Sequence, residues 1–423
     1  MADDPASRPE EKSPGRKRAG AWATVLALVA ALLLLVPVLL LPVSTAVPPA
    51  VWLPLLIAGL AAVVLLIARR RHARVRPLAV GAVAFCAVAA VVASQLLAET
   101  PPITDGDGRR LPGSIASLER VELNGTGQWI TIRGHNTSNP VLLNLGMGGP
   151  GGGGFATRSL FEPLEQHFTV VSWDEPGTGK SYGAVPFDEL DRERFVADAA
   201  ALTNLLRERF GKDRIYLYGV SWSSILGIWL VQEHPELYHA FTSSGQMVNT
   251  TENDRLGYEL ALARLQEQGD AGGVEKLSSN GPPPYRGENV VFRYVEYLDV
   301  LNEIMGTPRL SFIVPIIPFL APEYGLVDKV NHTFGIIRSF NAVYPKLENL
   351  DFVAQAPSLE VPVYFFVGRN DVNAMASLTE EYFNMLSAPH KELIWLEGGH
   401  GLDGSTQGQF VDVMVNRVLP AAS

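Results

Sequence analysis

Three residues far apart in the chain have the types that acyl transfer through a serine requires. Ser221 stands in Gly219-Val220-Ser221-Trp222-Ser223-Ser224, Asp371 in Gly368-Arg369-Asn370-Asp371, and His400 in Glu397-Gly398-Gly399-His400-Gly401. A serine hydroxyl is a poor nucleophile until a neutral imidazole takes its proton. A buried carboxylate then fixes the imidazole tautomer and stabilises the cation. Each residue alone has a plainer reading: Ser221 as a helix cap, Asp371 as a turn aspartate, His400 as a surface histidine. Their shared placement separates the two. The apolar strand Arg214–Val220 stops at Ser221, and a helical pattern with Ile225, Leu226, Ile228, Trp229, Leu230 and Val231 starts at once. Asp371 directly follows an expected strand at Val361–Val367, and His400 follows one at Leu393–Leu396. Loops at the C-terminal ends of strands are where open α/β sheets bind ligands. The remaining histidines (His72, His135, His167, His234, His239, His332 and His390) lack a comparable context. No His/Cys/Asp spacing suggests a metal site, and no cofactor is expected.

Tetrahedral chemistry at Ser221 also needs donors for an oxyanion. Val141–Leu145 reads as a short buried strand, followed by Gly146-Met147-Gly148-Gly149-Pro150-Gly151-Gly152-Gly153-Gly154. A run without side chains can aim several amides at one point. An amide of Gly148 or Gly149, with that of Trp222, would make an oxyanion hole. The alternative, a merely flexible glycine loop, does not account for the run's place between a strand and the serine. Gly177-Thr178-Gly179-Lys180-Ser181 looks like the end of a phosphate-binding loop, but Asp174 occupies the position where that loop needs its first glycine. Nucleotide binding is therefore set aside.

The elements that must position these residues follow from periodicity. Leu118–Leu123 and Gln128–Arg133 alternate around Asn124-Gly125, as in a hairpin. Further strands are expected at Phe168–Trp173 and Ala240–Ser244, and helices at Asp191–Phe210, Ala376–Leu386 and Gln407–Val418. Strands alternating with helices give a mostly parallel sheet with helices on both faces. With a serine on the sharp strand-to-helix turn, this is the α/β-hydrolase fold and its nucleophile elbow. The usual elbow is G-x-S-x-G; here Ser223 holds the last position and is still small enough for strand and helix to pass. The expected core is 118–246 and 356–423. Between them, 247–355 reads as a helical lid with helices near Asn253–Gln268 and Val290–Met305. The apolar piece Leu310–Leu320, broken by Pro315 and Pro318, is too short to span a bilayer. It reads as a lid element that touches a membrane or lines a substrate channel.

The first hundred residues belong to a different environment. Apolar runs at about Ala21–Val43, Ala50–Ala68 and Leu78–Ala98 contain no charge. Each is roughly 20 residues, enough at ~1.5 Å per residue for a ~30 Å hydrocarbon core. The first is longer than a signal-peptide core, and two more follow. The expected order is a basic tail (1–20), three transmembrane helices (21–98) and a Pro/Gly/Asp-rich linker (99–117). Lys and Arg cluster in the tail (Arg8, Lys12, Arg16, Lys17, Arg18) and after the second run (Arg69, Arg70, Arg71, Arg74, Arg76). Basic loops stay cytoplasmic, so the third span would deliver the remainder outside a cell membrane crossed three times. Residues 1–100 carry 10 Lys and Arg against 5 Asp and Glu, and the remainder carries 24 against 39. So acidic a domain repels nucleic acid and anionic headgroups, and no nucleic-acid partner is expected. The single cysteine, Cys86, lies in the third run, so the acidic part has no thiol or disulfide chemistry.

At this point the sequence resembles the proline iminopeptidase group of serine α/β-hydrolases. That group carries H-G-G-P-G-G, D-x-x-G-x-G-x-S and G-G-S-W-G-S. The counterparts here are Met147-Gly148-Gly149-Pro150-Gly151-Gly152, Asp174-Glu175-Pro176-Gly177-Thr178-Gly179-Lys180-Ser181 and Gly219-Val220-Ser221-Trp222-Ser223-Ser224. The likeness runs from about Leu118 to the C-terminus. Met147 replaces the histidine, Ser223 replaces the elbow glycine, and the apolar spans are no part of the group's pattern. The resemblance implies release of N-terminal residues, often proline, from short peptides, with lid carboxylates holding the free amine. Glu252 is the candidate for that contact, against a plainer reading as a solvated acid in a helix's first turn. Two other readings stay open: a carboxylesterase or lipase using the same triad on an ester, and a catalytically silent membrane binding protein.

Overall fold

The apolar N-terminal runs form helices at Pro14–Ser44 (α1), Pro49–Ala68 (α2) and Val75–Leu96 (α3). The computed structural model describes residues 14–69, 72–146, 148–287 and 289–421, and no side chain before position 21 or at 156. Arg8, Lys12, Arg70, Arg71 and Met147 thus lie outside the described residues, as do the side chains of Arg16, Lys17 and Arg18. All three helices are long and apolar enough to cross a membrane, over Ala21–Ser44, Pro49–Ala68 and Val75–Leu96. The third starts earlier than its apolar run, because Arg76 joins its first turn. Helix α3 buries Ala79, Val83, Cys86, Ala87, Ala90 and Ser94 and exposes Leu78, Phe85, Val88 and Leu96. Small residues inside and large apolar residues outside reverse the pattern of a water-soluble bundle and suit lipid surroundings.

The chain divides into two units, residues 1–98 and 99–423. The larger unit opens with the expected hairpin, Ile115–Leu123 (β1) and Thr126–Gly134 (β2). Leu123 pairs with Thr126 across a two-residue turn. Asn124 and Gly125 both take positive φ (48° and 80°), the backbone that such a turn demands. Six further strands follow: Val141–Asn144 (β3), Thr169–Asp174 (β4), Ile215–Val220 (β5), Tyr238–Ser244 (β6), Val363–Gly368 (β7) and Lys391–Leu396 (β8). The eight-stranded order is β1-β2-β4-β3-β5-β6-β7-β8. β2 runs antiparallel to β1 and β4, and all other pairs are parallel.

Strand β5 is buried at every position, as a central parallel strand must be. Its alternate residues serve two different cores. Ile215 and Leu217 face Ile225, Leu226 and Phe195, whereas Tyr216, Tyr218 and Val220 face Phe161, Phe410 and Met414. The first layer holds helices Arg192–Phe210 (α4) and Trp222–Glu233 (α5). Asp191 caps α4 by accepting the Arg194 amide at 2.9 Å, and Gly211 ends it at φ 61°.

Between β6 and β7 the chain makes a helical insertion: Thr250–Glu267 (α6), Ala271–Asn280 (α7), Val290–Ile304 (α8) and Leu326–Val343 (α9). Buried Asp254 on α6 ties it together, accepting the hydroxyls of Tyr294 (2.8 Å), Tyr344 (2.9 Å) and Tyr297 (3.2 Å). After β7 come Ala376–Met385 (α10), β8 and Gln407–Val413 (α11), which continues as a π-helical turn at Met414–Val418. The single helix expected over Gln407–Val418 therefore changes its hydrogen-bonding part-way.

Candidate active site

Where β5 ends, the backbone makes a turn that few residues tolerate. Ser221 has φ 55° and ψ −120°, one of three non-glycine residues with positive φ among those described. Such a conformation persists only where its surroundings over-determine it. Gly219 allows the crossing: a Cβ there would lie 2.3 Å from the carbonyl oxygen of Ser223. Ser223, the departure from the usual glycine, has its own use. Its Oγ accepts the Val220 amide at 2.8 Å and lies 2.9 Å from the carbonyl of Gly146, to which it can donate. The elbow is thus tied to the start of the glycine loop. Ser224 Oγ donates to the Ser221 carbonyl (2.5 Å) and accepts the Met247 amide (3.0 Å).

Asp371 and His400 come from loops locked to each other. A Cβ on Gly368 would stand 2.0 Å from the Gly399 carbonyl oxygen, so the chain after β7 touches the chain after β8 directly. The Asn370 amide donates to the Gly398 carbonyl at 3.0 Å. Asp371 is buried and accepts the amides of Asn373 and Ala374, both at 2.9 Å. Its other contact is His400 Nδ1, 3.0 Å from Oδ2 and 3.2 Å from Oδ1. Burial lowers the His400 pKa, but the charge and hydrogen bond of Asp371 outweigh it, and the ring titrates above its ordinary 6.5.

The histidine loop reaches the serine across the ends of β5 and β6. A Cβ on Gly245 would lie 2.7 Å from His400 Cε1, and Gly245 itself has φ 54°. Its neighbour Ser244 accepts the Ser221 amide at 3.2 Å. Gly401 packs on Val220, where an added Cβ would come 3.3 Å from Cγ2. Asp371 and His400 are thus bonded to each other, and His400 lies against Gly245, the residue after the Ser244 carbonyl that accepts the Ser221 amide. Gly245 has no chemical signature of its own in the sequence; only the packing reveals its part.

The glycine loop lies beside them. Gly148 has φ 103°. Helix α9 covers the loop closely: Cβ atoms on Gly149 and Gly151 would meet Phe340 at 2.9 Å and Ser339 at 2.4 Å. Trp222 is the first residue of α5, so its amide has no helical acceptor. Its indole Nε1 donates to Glu175 Oε2 at 3.1 Å, and the Gly151 amide donates to the same oxygen at 2.9 Å. Glu175 is fully buried and joins the loop to the elbow helix, a role that sequence patterning did not reveal. Burial pushes its pKa up to about 8 against the effect of those two hydrogen bonds, with the charge of Asp174 adding to the rise.

One expectation changes here. Glu252 does not enter a pocket: it pairs with Arg255 at 2.5 Å on the exposed face of α6, and that hydrogen bond lowers its pKa. The inward positions of that turn are its neighbours. Buried Asn253 accepts the Met375 amide and donates to the Asn373 carbonyl, both at 2.8 Å, fastening α6 to the Asp371 loop. Lys180 of the phosphate-loop look-alike forms a buried pair with Asp328 at 2.8 Å.

Comparison with known proteins fits this architecture. Residues 139–271 match a family described as having the alpha/beta hydrolase fold. The chain is 28% identical over 289 residues to a probable aminopeptidase, YbaC, of Bacillus subtilis, covering 67% of this chain and 90% of that one. It is 37% identical over 104 residues to a probable proline iminopeptidase of Leptolyngbya boryana, covering 24% of this chain and 30% of that one. Among solved structures, proline iminopeptidase from Mycobacterium smegmatis superposes with a TM-score of 0.52 at 16% identity, over 72% of this chain and 99% of that one. Residues 99–423 have the α/β-hydrolase fold. Their sequence is similar to those of aminopeptidases and proline iminopeptidases.

The buried position of Glu175 gives a pH test. An unfolded glutamate loses its proton near 4.5, whereas the folded one keeps it to about 8. Stability from this group is complete below pH 4.5, falls between there and about pH 8, and is flat above. Glu175→Gln should therefore make the fall in unfolding midpoint across that window shallower, with the slope from Asp174, also raised to about 8, remaining. A slope identical to wild type would show that Glu175 is not held protonated.

Proposed function

We propose that the chain is a membrane-anchored serine hydrolase of aminopeptidase type, releasing N-terminal residues from short peptides through an acyl-enzyme on Ser221. The observation that carries this reading is the strained Ser221 backbone beside an Asp371-bonded His400. In this mechanism, neutral His400 takes the hydroxyl proton as Ser221 Oγ attacks the scissile carbonyl. The oxyanion is held by the amides of Trp222 and of Gly148 or Gly149. His400 then gives the proton to the leaving amine, and the acyl group stays on Ser221. Water repeats the exchange and frees the acid. Asp371 stabilises the imidazolium formed in each half.

Residues 247–355 act as the lid in this account, closing the acyl side of the pocket so that only a terminal residue fits. The aminopeptidase assignment is supported by the 28% identity to a probable aminopeptidase over 90% of that protein. A second reading, a carboxylesterase, gains from the fate of two lid acids. Glu252 is taken by Arg255, and Asp254 by three tyrosines, which leaves neither for a substrate ammonium. A silent binding protein would have no use for the strained serine. Anchoring rests on α1–α3, with the hydrolase domain on the extracytoplasmic side because the basic residues flank the other ends.

Activity is tested first. A fluorophosphonate probe should label the wild-type chain and leave Ser221→Ala unlabelled, with an unchanged unfolding midpoint. The wild type should cleave Pro- or Ala-arylamides, lose about two orders of magnitude or more on N-blocked forms if it reads an ammonium by a buried charge contact, and act weakly on p-nitrophenyl esters. Equal cleavage of free and blocked substrates moves the assignment to the esterase, and labelling of the alanine variant removes Ser221 as nucleophile.

Topology is tested separately. A reporter active only outside the cytoplasm should be active when fused after Ser423 and silent when inserted within residues 69–76. The opposite pattern places the hydrolase domain in the cytoplasm.

A further inference from the structure

The lid carries an apolar surface that the catalytic reading leaves unused. From Leu310 to Pro322 the chain has no charged residue. Within it Phe312, Ile316 and Leu320 recur at every fourth position and are 67%, 54% and 69% exposed. The segment is held in place. The Lys329 ammonium on α9, itself buried, donates to the carbonyls of Pro318 and Ala321, both at 2.8 Å. Helix α9 adds a second exposed apolar row at i, i+3 and i+7: Val327, Val330 and Phe334. Soluble surfaces rarely carry so many large apolar side chains on one fixed element, and such patches mark contact surfaces.

We propose that this face, 310–334, docks on the lipid bilayer, seating the lid at the membrane surface. The proposal rests on the reading of α1–α3 as membrane-spanning. The occupant follows from chain connectivity. Helix α3 ends at Leu96. Thr100, four residues later and buried, donates to Glu323 Oε1 at 2.8 Å and accepts from Arg133 at 2.8 Å. Arg158 also reaches Glu323, at 3.2 Å. Four residues of chain extend at most about 14 Å. Glu323, only three residues beyond Leu320, is therefore tethered through Thr100 to the end of a membrane helix by a chain whose full reach is about twice the polar zone of one leaflet, roughly 5–7 Å. A segment so tethered, apolar and uncharged for 13 residues, meets the conditions for interfacial seating, in which apolar side chains enter the headgroup–acyl boundary. The overall negative charge of the hydrolase domain works against approach to anionic headgroups, but residues 310–322 carry none of it, and the charged residues behind them, Glu323, Asp328 and Lys329, are buried. A lid so placed would open its pocket towards substrates that gather at the membrane surface, amphiphilic peptides or esters above fully soluble ones.

The test uses the full chain with Cys86→Ser as background, reconstituted in phosphatidylcholine–phosphatidylglycerol vesicles. Single nitroxide labels are placed through Ile316→Cys on the docking face, Leu33→Cys in α1 and Glu275→Cys on the exposed part of α7. Each variant should keep the parent's unfolding midpoint, since all three side chains are exposed. Accessibility to oxygen, which partitions into lipid, is compared with accessibility to a water-soluble nickel chelate. The label at 316 should favour oxygen several-fold relative to that at 275, and the label at 33 should do so more strongly. A nickel-accessible 316 with an oxygen-accessible 33 overturns docking while the spanning reading stands. A nickel-accessible 33 overturns both. Shielding of 316 from both reagents indicates a protein contact and also overturns the proposal.

Discussion

The site depends on one backbone constraint, the crossing of β5 and α5 at Ser221. A residue at φ 55° and ψ −120° is held there only because strand and helix are each fixed by burial on both sides. The two cores served by alternate residues of β5 supply that fixation. Gly219 removes the one Cβ that the approach could not accommodate, and Ser223 turns the second close point into hydrogen bonds. The strain is local, and the packing that sustains it extends across the sheet.

Everything else in the site is placed relative to that turn. Direct backbone contact at Gly368 and Gly399 makes the aspartate and histidine loops one body, and Gly245 lets the imidazole lie against the end of β6. Glu175 fastens the glycine loop to Trp222. Asn253 fastens the first insertion helix to the aspartate loop. Buried hydrogen bonds of this kind are costly to leave unpaired, so they hold geometry more firmly than their net contribution to stability suggests. The insertion is also held to itself by Asp254 and its three tyrosines. Burial pushes that carboxyl up to about 7.

The sequence revealed most where a local rule acts alone. Asn124-Gly125 can hardly be anything but a tight hairpin, and the central strands, buried at every position, fall within a few residues of their expected ends because short apolar runs bounded by turn residues mark them. Asp371 and His400, both expected on loops after strands, stand there bonded to each other, and Ser221 ends β5 in a turn of positive φ. What was not legible depends on which face of a turn points inwards. Glu252, Asn253 and Asp254 are consecutive, and the resemblance pointed to the first of them as the contact for a substrate amine. In the fold that residue is outside, and the two behind it do the connecting. Glu175 and Gly245 were invisible for another reason: each matters through contacts with residues tens of positions away, at Trp222 and His400. Ser223 read as a weaker match, yet its hydroxyl is what binds elbow to glycine loop.

The central claim is that Ser221 and His400 act as one unit around the strained elbow. It is tested most directly by measuring kcat/KM for Ser221→Ala, His400→Ala and the double variant on a single activated substrate. If the pair is one nucleophilic unit, each single change removes several orders of magnitude and the double variant is no worse than either. Losses that multiply in the double variant would mean that the two residues contribute independently, and would contradict the account.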